Sequence, residues 1–256
     1  MEEAMSAPVA IVTGSAKGIG LSTARELASR GYQVVVSDLD ASAAEVAAKE
    51  IDGAIAVPCD VRDEDQVRAL VAATTDHHGR LDLMVPNAGI GIVAPILDTD
   101  LAQWREVTSV NLDGVFLSLR WAAPAIIASG GGSIVSIASV SGTTGTPLIA
   151  SYAAAKAAVI NLTKTAAMEL RDHGVRVNAV APGFIGTDLV NDAAPEFERL
   201  LGLPEGGFGP VIEAKQGRFG DPEDVARAVA FLADAQQSWV TGSILTLDGG
   251  ITSSLI

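Results

Sequence analysis

Residues 8–20 read PVAIVTGSAKGIG. A run of β-branched and small apolar residues, Pro8 to Thr13, passes directly into a glycine-rich turn and then into a helical pattern. Glycines at such a junction permit tight turning and close approach of the backbone to a ligand. The free N–H groups at the start of the following helix stabilise a phosphate. Gly14, Gly18 and Gly20 are therefore read as a phosphate-binding turn between a first strand and a first helix.

The alternation that begins there continues along the chain. Strands are predicted at Pro8–Thr13, Gln33–Ser37, Ala54–Val57, Leu81–Pro86, Ser133–Ala138, Val175–Val180 and Ile244–Leu247, with helical periodicity in most of the intervals. The expected fold class is α/β: a single Rossmann-like doubly wound domain, about seven parallel strands flanked by helices on both faces. No internal repeat and no Pro/Ser-rich linker divides the 256 residues, so one domain is expected over residues 1–256. One segment breaks the rhythm. Between Phe184 and Arg218 the chain offers a short helix, then glycine and proline punctuation and no strand. Such an irregular insertion is read as a substrate lid over about residues 186–218, with Leu200, Leu201, Leu203 and Phe208 as its apolar lining.

Composition agrees and excludes several functions. Hydrophobic residues make up 48% and aromatics 4%, so the core is built from aliphatic residues, as buried parallel sheets are. A net charge of −14, with no basic patch, argues against nucleic acid or anionic membranes as partners. Cys59 is the only cysteine, which excludes an intramolecular disulfide and a Cys-rich zinc site and fits a reducing, cytoplasmic setting. His77, His78 and His173 have no ligand spacing, so no metal site is expected and they are read as surface residues. The N-terminal MEEAMSAPVA carries acids where a signal peptide needs positive charge. Residues 121–155 carry no charge, but Gly130, Gly131, Gly132 and many Ser and Thr residues interrupt them, so they are read as buried strand plus loop rather than as a membrane span.

Two further features carry chemistry. Asp38 ends the second strand, eighteen residues beyond Gly20, where a carboxylate accepts hydrogen bonds from the ribose hydroxyls of NAD. The competing reading is a helix N-cap before ASAAEVAAKE. Tyr152 and Lys156 are spaced i, i+4, so on a helix they share one face and the ammonium can favour the phenolate. Alone, that spacing also suits an ordinary surface pair.

Taken together, GxxxGxG after the first strand, Ser139 thirteen residues before Tyr152, and Tyr-x-x-x-Lys resemble the classical short-chain dehydrogenase/reductase family, and the likeness spans about residues 8–250. The resemblance implies that Gly14, Ser15, Lys17, Gly18, Ile19, Gly20 and Asp38 hold the dinucleotide, and that Asp60 and Val61 contact adenine. It assigns Asn87, Ala88 and Gly89 to the central sheet and the cofactor wall, with Pro86 standing where relatives more often have Asn. Pro182, Gly183, Ile185 and Thr187 would lie beside the nicotinamide, and Asp248 and Gly249 complete the family's marks. Tyr152 would be the acid/base. Lys156 would lower its pKa and bind the nicotinamide ribose, Ser139 would orient the reacting oxygen, and Asn111 would hold a water linking Lys156 to solvent.

The activity implied is hydride transfer between NAD(H) and a small, largely uncharged secondary alcohol or ketone. An NADPH-dependent 3-oxoacyl (acyl-carrier-protein) reductase and a non-catalytic nucleotide-binding protein are the alternatives. Asp38 opposes the 2′-phosphate of NADP, although Lys17 accompanies NADP use in parts of the family. Reductases of acyl carrier protein usually present Lys or Arg to their acidic partner, whereas no basic residue lies between Arg120 and Lys156. By the same resemblance a homotetramer is expected, formed by the helices carrying WREVTSVNLDGVFLSLRWAAPAII and SYAAAKAAVINLTKTAAMEL.

Overall fold

The computed structural model of the protein describes residues 7–253; the N-terminal reading rests largely on residues 1–6, outside that range. Seven strands, β1 (Val9–Thr13), β2 (Gln33–Ser37), β3 (Ile55–Ala56), β4 (Leu83–Val85), β5 (Gly132–Ile137), β6 (Val175–Pro182) and β7 (Ile244–Leu247), form one sheet. Its order is β3-β2-β1-β4-β5-β6-β7, and every pairing is parallel. All seven expected strands are present, most with slightly different ends.

The sheet is covered on both faces because its strands are apolar on both faces. Period-two alternation sends Ala10 and Val12 of β1 to one side and Ile11 to the other. On the first side they meet Ala24 and Leu27 of α1 (Gly18–Ser29), Ala44 and Ala47 of α2 (Ala41–Lys49), and Val225 and Val229 of α9 (Pro222–Ala233). On the second, Ile11 and Met84 pack with Val67 and Leu70 of α3 (Glu64–His78), Ile126 of α5 (Gly114–Ala128) and Val159 of α6 (Ala150–Leu170).

Helix ends follow local chemistry. Asp40 caps α2 by accepting from the Ser42 and Ala43 amides at 3.0 and 3.1 Å, so the capping role considered for Asp38 belongs to Asp40. Arg176, reaching from β6, donates to the carbonyls of Leu232, Ala233 and Asp234 and satisfies the C-terminal end of α9.

A single π-helical turn, Ser109–Asp113, joins α4 (Leu101–Thr108) to α5. The resulting helix, Leu101–Ala128, is long and apolar enough to cross a membrane by length and composition, but it packs against α3, α6 and the sheet. The uncharged stretch 121–155 resolves into the end of α5, β5, an irregular loop and the start of α6.

The lid differs from expectation. It is not irregular: α7 (Asp188–Leu201) and α8 (Phe208–Gln216) occupy most of it. The punctuation that suggested a loop supplies their ends, Gly202 at φ +67° closing α7 and Gly207 preceding α8.

Candidate active site

The main cleft opens at the carboxyl ends of β1 and β4, where the crossovers from β1 and β4 depart to opposite faces of the sheet. It encloses about 640 Å³. Gly14 and Gly18 adopt φ of +62° and +58°, conformations that favour glycine. A Cβ on Gly20 would overlap the Gly14 carbonyl oxygen and sit 2.6 Å from Asn87 Nδ2. The turn therefore presents bare backbone to the cleft. Helix α1 begins there with no side-chain cap and no acid in its first turn, which leaves its first amides to an anion. These features fit the pyrophosphate of a dinucleotide.

Asn87 fixes this turn from the neighbouring strand. Its Nδ2 donates to the Thr13 and Gly14 carbonyls at 2.8 and 2.9 Å, and its amide donates to Thr13 Oγ1 at 3.1 Å. Pro86 is accommodated because β4 ends at Val85, and the Pro86 carbonyl still accepts from the Ile137 amide at 3.0 Å.

At the far end of the cleft the Asp38 carboxylate accepts from the Ala16 amide at 3.0 Å and lines the wall. Lys17 reaches across to Asp188 on the lid, Nζ to Oδ2 2.9 Å, and that hydrogen bond is the chief reason its pKa is raised. Asp60 accepts from Arg62 Nε at 2.9 Å and Nη2 at 2.6 Å, a pairing that holds its carboxyl below the usual carboxylate range. Arg62 lines the cleft too. Sequence reading passed over it because a lone Arg after a strand carries no motif.

Helix α6 delivers the chemistry. Tyr152 is half-buried and Lys156 is 3% exposed, with Nζ lying 5.5 Å from the Tyr152 ring centroid and donating to the Ile137 carbonyl at 2.8 Å. Burial pulls the ammonium down to about 8. Burial also pushes the Tyr152 phenol up, opposed by a hydrogen bond with Ser139. The expected lowering of Tyr152 by Lys156 does not accompany this arrangement, in which the ammonium lies over the ring and donates to a backbone carbonyl. Ser139 ends the loop after β5, 7% exposed, and its Oγ accepts from the Ser141 amide at 3.2 Å.

Asn111 sits in the π-helical turn, a distortion that often marks functional positions. Its Nδ2 donates to the Ile90 and Val107 carbonyls at 2.8 and 2.9 Å, while its buried Oδ1 has no hydrogen-bond partner among the described residues. A free buried acceptor of this kind suits a water in a proton path.

Gly14, Lys17, Gly18, Ile19, Gly20, Asp38, Asp60, Val61, Asn87, Ala88, Gly89, Asn111, Tyr152, Lys156 and Thr187 thus share one cleft. A second, smaller cavity of about 90 Å³ opens on the other side of Tyr152, lined by Ser139, Gly183, Phe184, Val190, Ala193 and Phe197 among others. Tyr152 and Leu189 border both. Three expected residues lie on neither wall. Ser15 turns inward, donating to the Val12 carbonyl at 2.7 Å and accepting from the Ser37 amide at 3.0 Å. Pro182 ends β6 opposite Leu247, and Ile185 is 3% exposed in the core beside Gly220.

The lid surface is also not the one expected. Leu201 is 49% exposed, and Leu200 and Leu203 do not line either cavity; the wall comes from Leu189, Val190, Ala193 and Phe197 on one face of α7. Phe208 lies behind, stacked on Phe197 with ring centroids 5.0 Å apart. Gln216 anchors the base of the lid: its Nε2 donates to the Phe184 and Arg218 carbonyls and its Oε1 accepts from the Phe184 amide. No sequence pattern marks it. Among the described residues no group of His, Cys, Asp or Glu could hold a metal ion. His78 departs from the surface reading, being half-buried edge-on to His77.

Comparison with known proteins gives consistent likenesses. A family described as enoyl-(acyl carrier protein) reductase matches residues 14–252. The chain is 44% identical to a cis-4-hydroxycyclohexanecarboxylate dehydrogenase of Sinomonas cyclohexanicum, over 99% of this chain and 100% of that one. It is 41% identical to a 3-oxoacyl-[acyl-carrier-protein] reductase of Synechocystis sp., over 97% and 98%. It is also 41% identical to a cyclohexanol dehydrogenase of Acinetobacter sp., over 96% and 95%. Among solved structures, levodione reductase superposes with a TM-score of 0.90 at 34% identity, covering 96% of this chain and 98% of that one.

Proposed function

Because the chain belongs to the classical short-chain dehydrogenase/reductase family, oxidoreductases that act with a nicotinamide cofactor, we propose that it interconverts a small, largely uncharged, secondary alicyclic alcohol and its ketone with NAD(H). One observation carries this reading. The Tyr152 side chain stands between a long cleft ending at Asp38 and a small apolar cavity. That arrangement puts one proton donor within reach of both a dinucleotide and a compact ring.

The dinucleotide, when bound, supplies or accepts the hydride. The protein's own groups handle everything else. Tyr152 gives its phenolic proton to the carbonyl oxygen during reduction and removes it from the alcohol during oxidation. Ser139 holds the same oxygen by a hydrogen bond. Lys156, released from the Ile137 carbonyl, would hold ribose hydroxyls and stabilise the phenolate, and Asn111 Oδ1 would seat the water that returns the proton.

Charge in the cleft supports NAD over NADP. Asp38 would accept from a 2′-hydroxyl and repel a 2′-phosphate, while Lys17 and Arg62 are already engaged by Asp188 and Asp60. Support for the alicyclic ring comes from the relatives named for cyclohexanol and hydroxycyclohexanecarboxylate, and from a cavity wall of Val190, Ala193, Phe184 and Phe197.

The Synechocystis relative favours a second reading, reduction of a 3-oxoacyl thioester. Against it stand the stretch without basic residues before Lys156 and the six acids against Arg199 and Lys215 over residues 188–217, an excess that would repel an acidic carrier. A binding protein without activity has no use for Asn111, Ser139, Tyr152 and Lys156 together. We further place the protein in the cytoplasm, with Cys59 buried and reduced, as a homotetramer. Steady-state turnover of alicyclic alcohols and of acyl-carrier-protein thioesters, each with both cofactors, tests the assignment. Efficient thioester turnover without turnover of free alcohols would reverse it.

A further inference from the structure

Among the described residues, three cationic side chains line the main cleft: Lys17, Arg62 and Lys156. Lys156 is buried against Ile137, and Arg62 is held by Asp60 on two nitrogens. Lys17 alone stands beside Asp38, on the residue next to the Ala16 amide that Asp38 accepts from. Its ammonium does not turn to Asp38. It crosses to Asp188, the first residue of α7, at 2.9 Å, with Asp192 and Asp38 as the next carboxylates it feels. One ammonium among three carboxylates leaves a formal charge of −2 around it.

We propose that Asp188 is a specificity-determining residue for the dinucleotide, acting by holding Lys17 to the lid and away from the place a 2′-phosphate would occupy. The claim rests on the reading that Asp38 marks the ribose end of a dinucleotide site. A 2′-phosphate beside Asp38 needs a cation, and Lys17 is the exposed side chain able to supply one. While Asp188 holds it, the phosphate must compete with a carboxylate whose helix N-terminal position is itself favourable. The pair is exposed on both sides, with side-chain accessibilities of 72% and 60%, so it adds little to folding. Its consequence is where the positive charge sits. Removing Asp188 would both free Lys17 and delete one like charge from the surroundings of the phosphate.

The test uses the adenosine half of the cofactor, so that turnover is not needed. Dissociation constants for adenosine 2′,5′-bisphosphate and for 5′-AMP are measured by calorimetry, and those for NADPH and NADH by nicotinamide fluorescence. The proteins compared are wild type, Asp188→Asn, Asp188→Glu, Lys17→Met and Lys17→Met/Asp188→Asn. Expected is a shift of the affinity ratio toward the 2′-phosphorylated ligand in Asp188→Asn, roughly three- to thirtyfold for a change of one partly screened charge and its partner. Asp188→Glu should restore the wild-type ratio, and the Lys17→Met background should lose most of the gain. An unchanged ratio in Asp188→Asn overturns the proposal. So does a gain of equal size without Lys17, which would show simple removal of negative charge. A wild-type ratio near one would sink the NAD preference, while the change between variants would still decide the role of Asp188. Failure of wild type to bind either nucleotide would remove the dinucleotide reading and this proposal with it.

Discussion

Lys156 Nζ donates to the Ile137 carbonyl at 2.8 Å, bridging α6 and β5 inside the protein. Burial lowers this ammonium from its ordinary 10.5 to about 8. Below pH 8 both folded and unfolded chains carry the proton, and the folded state bears the full cost of a buried charge. Between about 8 and 10.5 the folded chain loses the proton first, so the contribution of Lys156 to stability improves as pH rises. The change is on the order of 3 kcal/mol. Urea unfolding of wild type and Lys156→Met at pH 7 and pH 10 should show the variant the more stable at pH 7 and its advantage shrinking at pH 10. Parallel pH profiles would contradict the burial of the charged amine.

Gly20→Ala probes the phosphate turn. The added methyl would overlap the Gly14 carbonyl and sit 2.6 Å from Asn87 Nδ2, so the turn has to open. A loss of about 1–3 kcal/mol in stability is expected, the usual range for an overpacked site. NADH affinity, followed by fluorescence titration, should fall at least roughly tenfold as the α1 amides move, about 1.4 kcal/mol. Binding as tight as wild type would show that the turn does not carry the phosphates.

The sheet was legible because each strand is a short β-branched run closed by a turn, and both faces are buried. Leu81–Pro86 shrinks to Leu83–Val85 because Leu81, Asp82 and Pro86 lie beyond the paired register of β4. Most of the motif residues converge on one cleft, as their places at strand ends and helix starts predict. What escaped notice depends on contacts between distant segments. Gly202 and Gly207 look like loop residues until α7 and α8 are seen ending and starting on them. Gln216 matters through Phe184, thirty-two residues away. Lys17 reads as a cofactor-binding residue that accompanies NADP use, and nothing local could show that Asp188, 171 residues on, would take it.

The proposed cofactor preference turns on Asp38, held on the cleft wall by the Ala16 amide at 3.0 Å. NAD should exceed NADP in kcat/KM by roughly tenfold to a few hundredfold, the scale of one unsatisfied charged contact. Asp38→Ala should bring the two close together. Equal use by wild type, or an unaltered ratio in the variant, would remove Asp38 from recognition of the ribose.

The outer faces of the long helices expose Trp104 (37%), Phe116 (48%) and Met168 (58%). Apolar side chains on adjoining helices suit an interface between copies, and α6 offers small alanines for close approach. Light scattering should give four times the 26.2 kDa chain mass, and Phe116→Glu should lower it. A monomer at micromolar concentration would refute the assembly.

Most direct for the central claim is the fate of deuterium placed on the carbinol carbon of cyclohexanol, followed by mass spectrometry of the nucleotide after incubation with NAD. Wild type should deliver the label to the nicotinamide ring. Tyr152→Phe should bind NADH as wild type does, yet transfer label about 10² to 10⁴ times more slowly, the usual scale for a lost acid/base. Reduced nucleotide lacking deuterium, or a Tyr152→Phe enzyme as fast as wild type, would contradict direct hydride transfer with Tyr152 moving the proton.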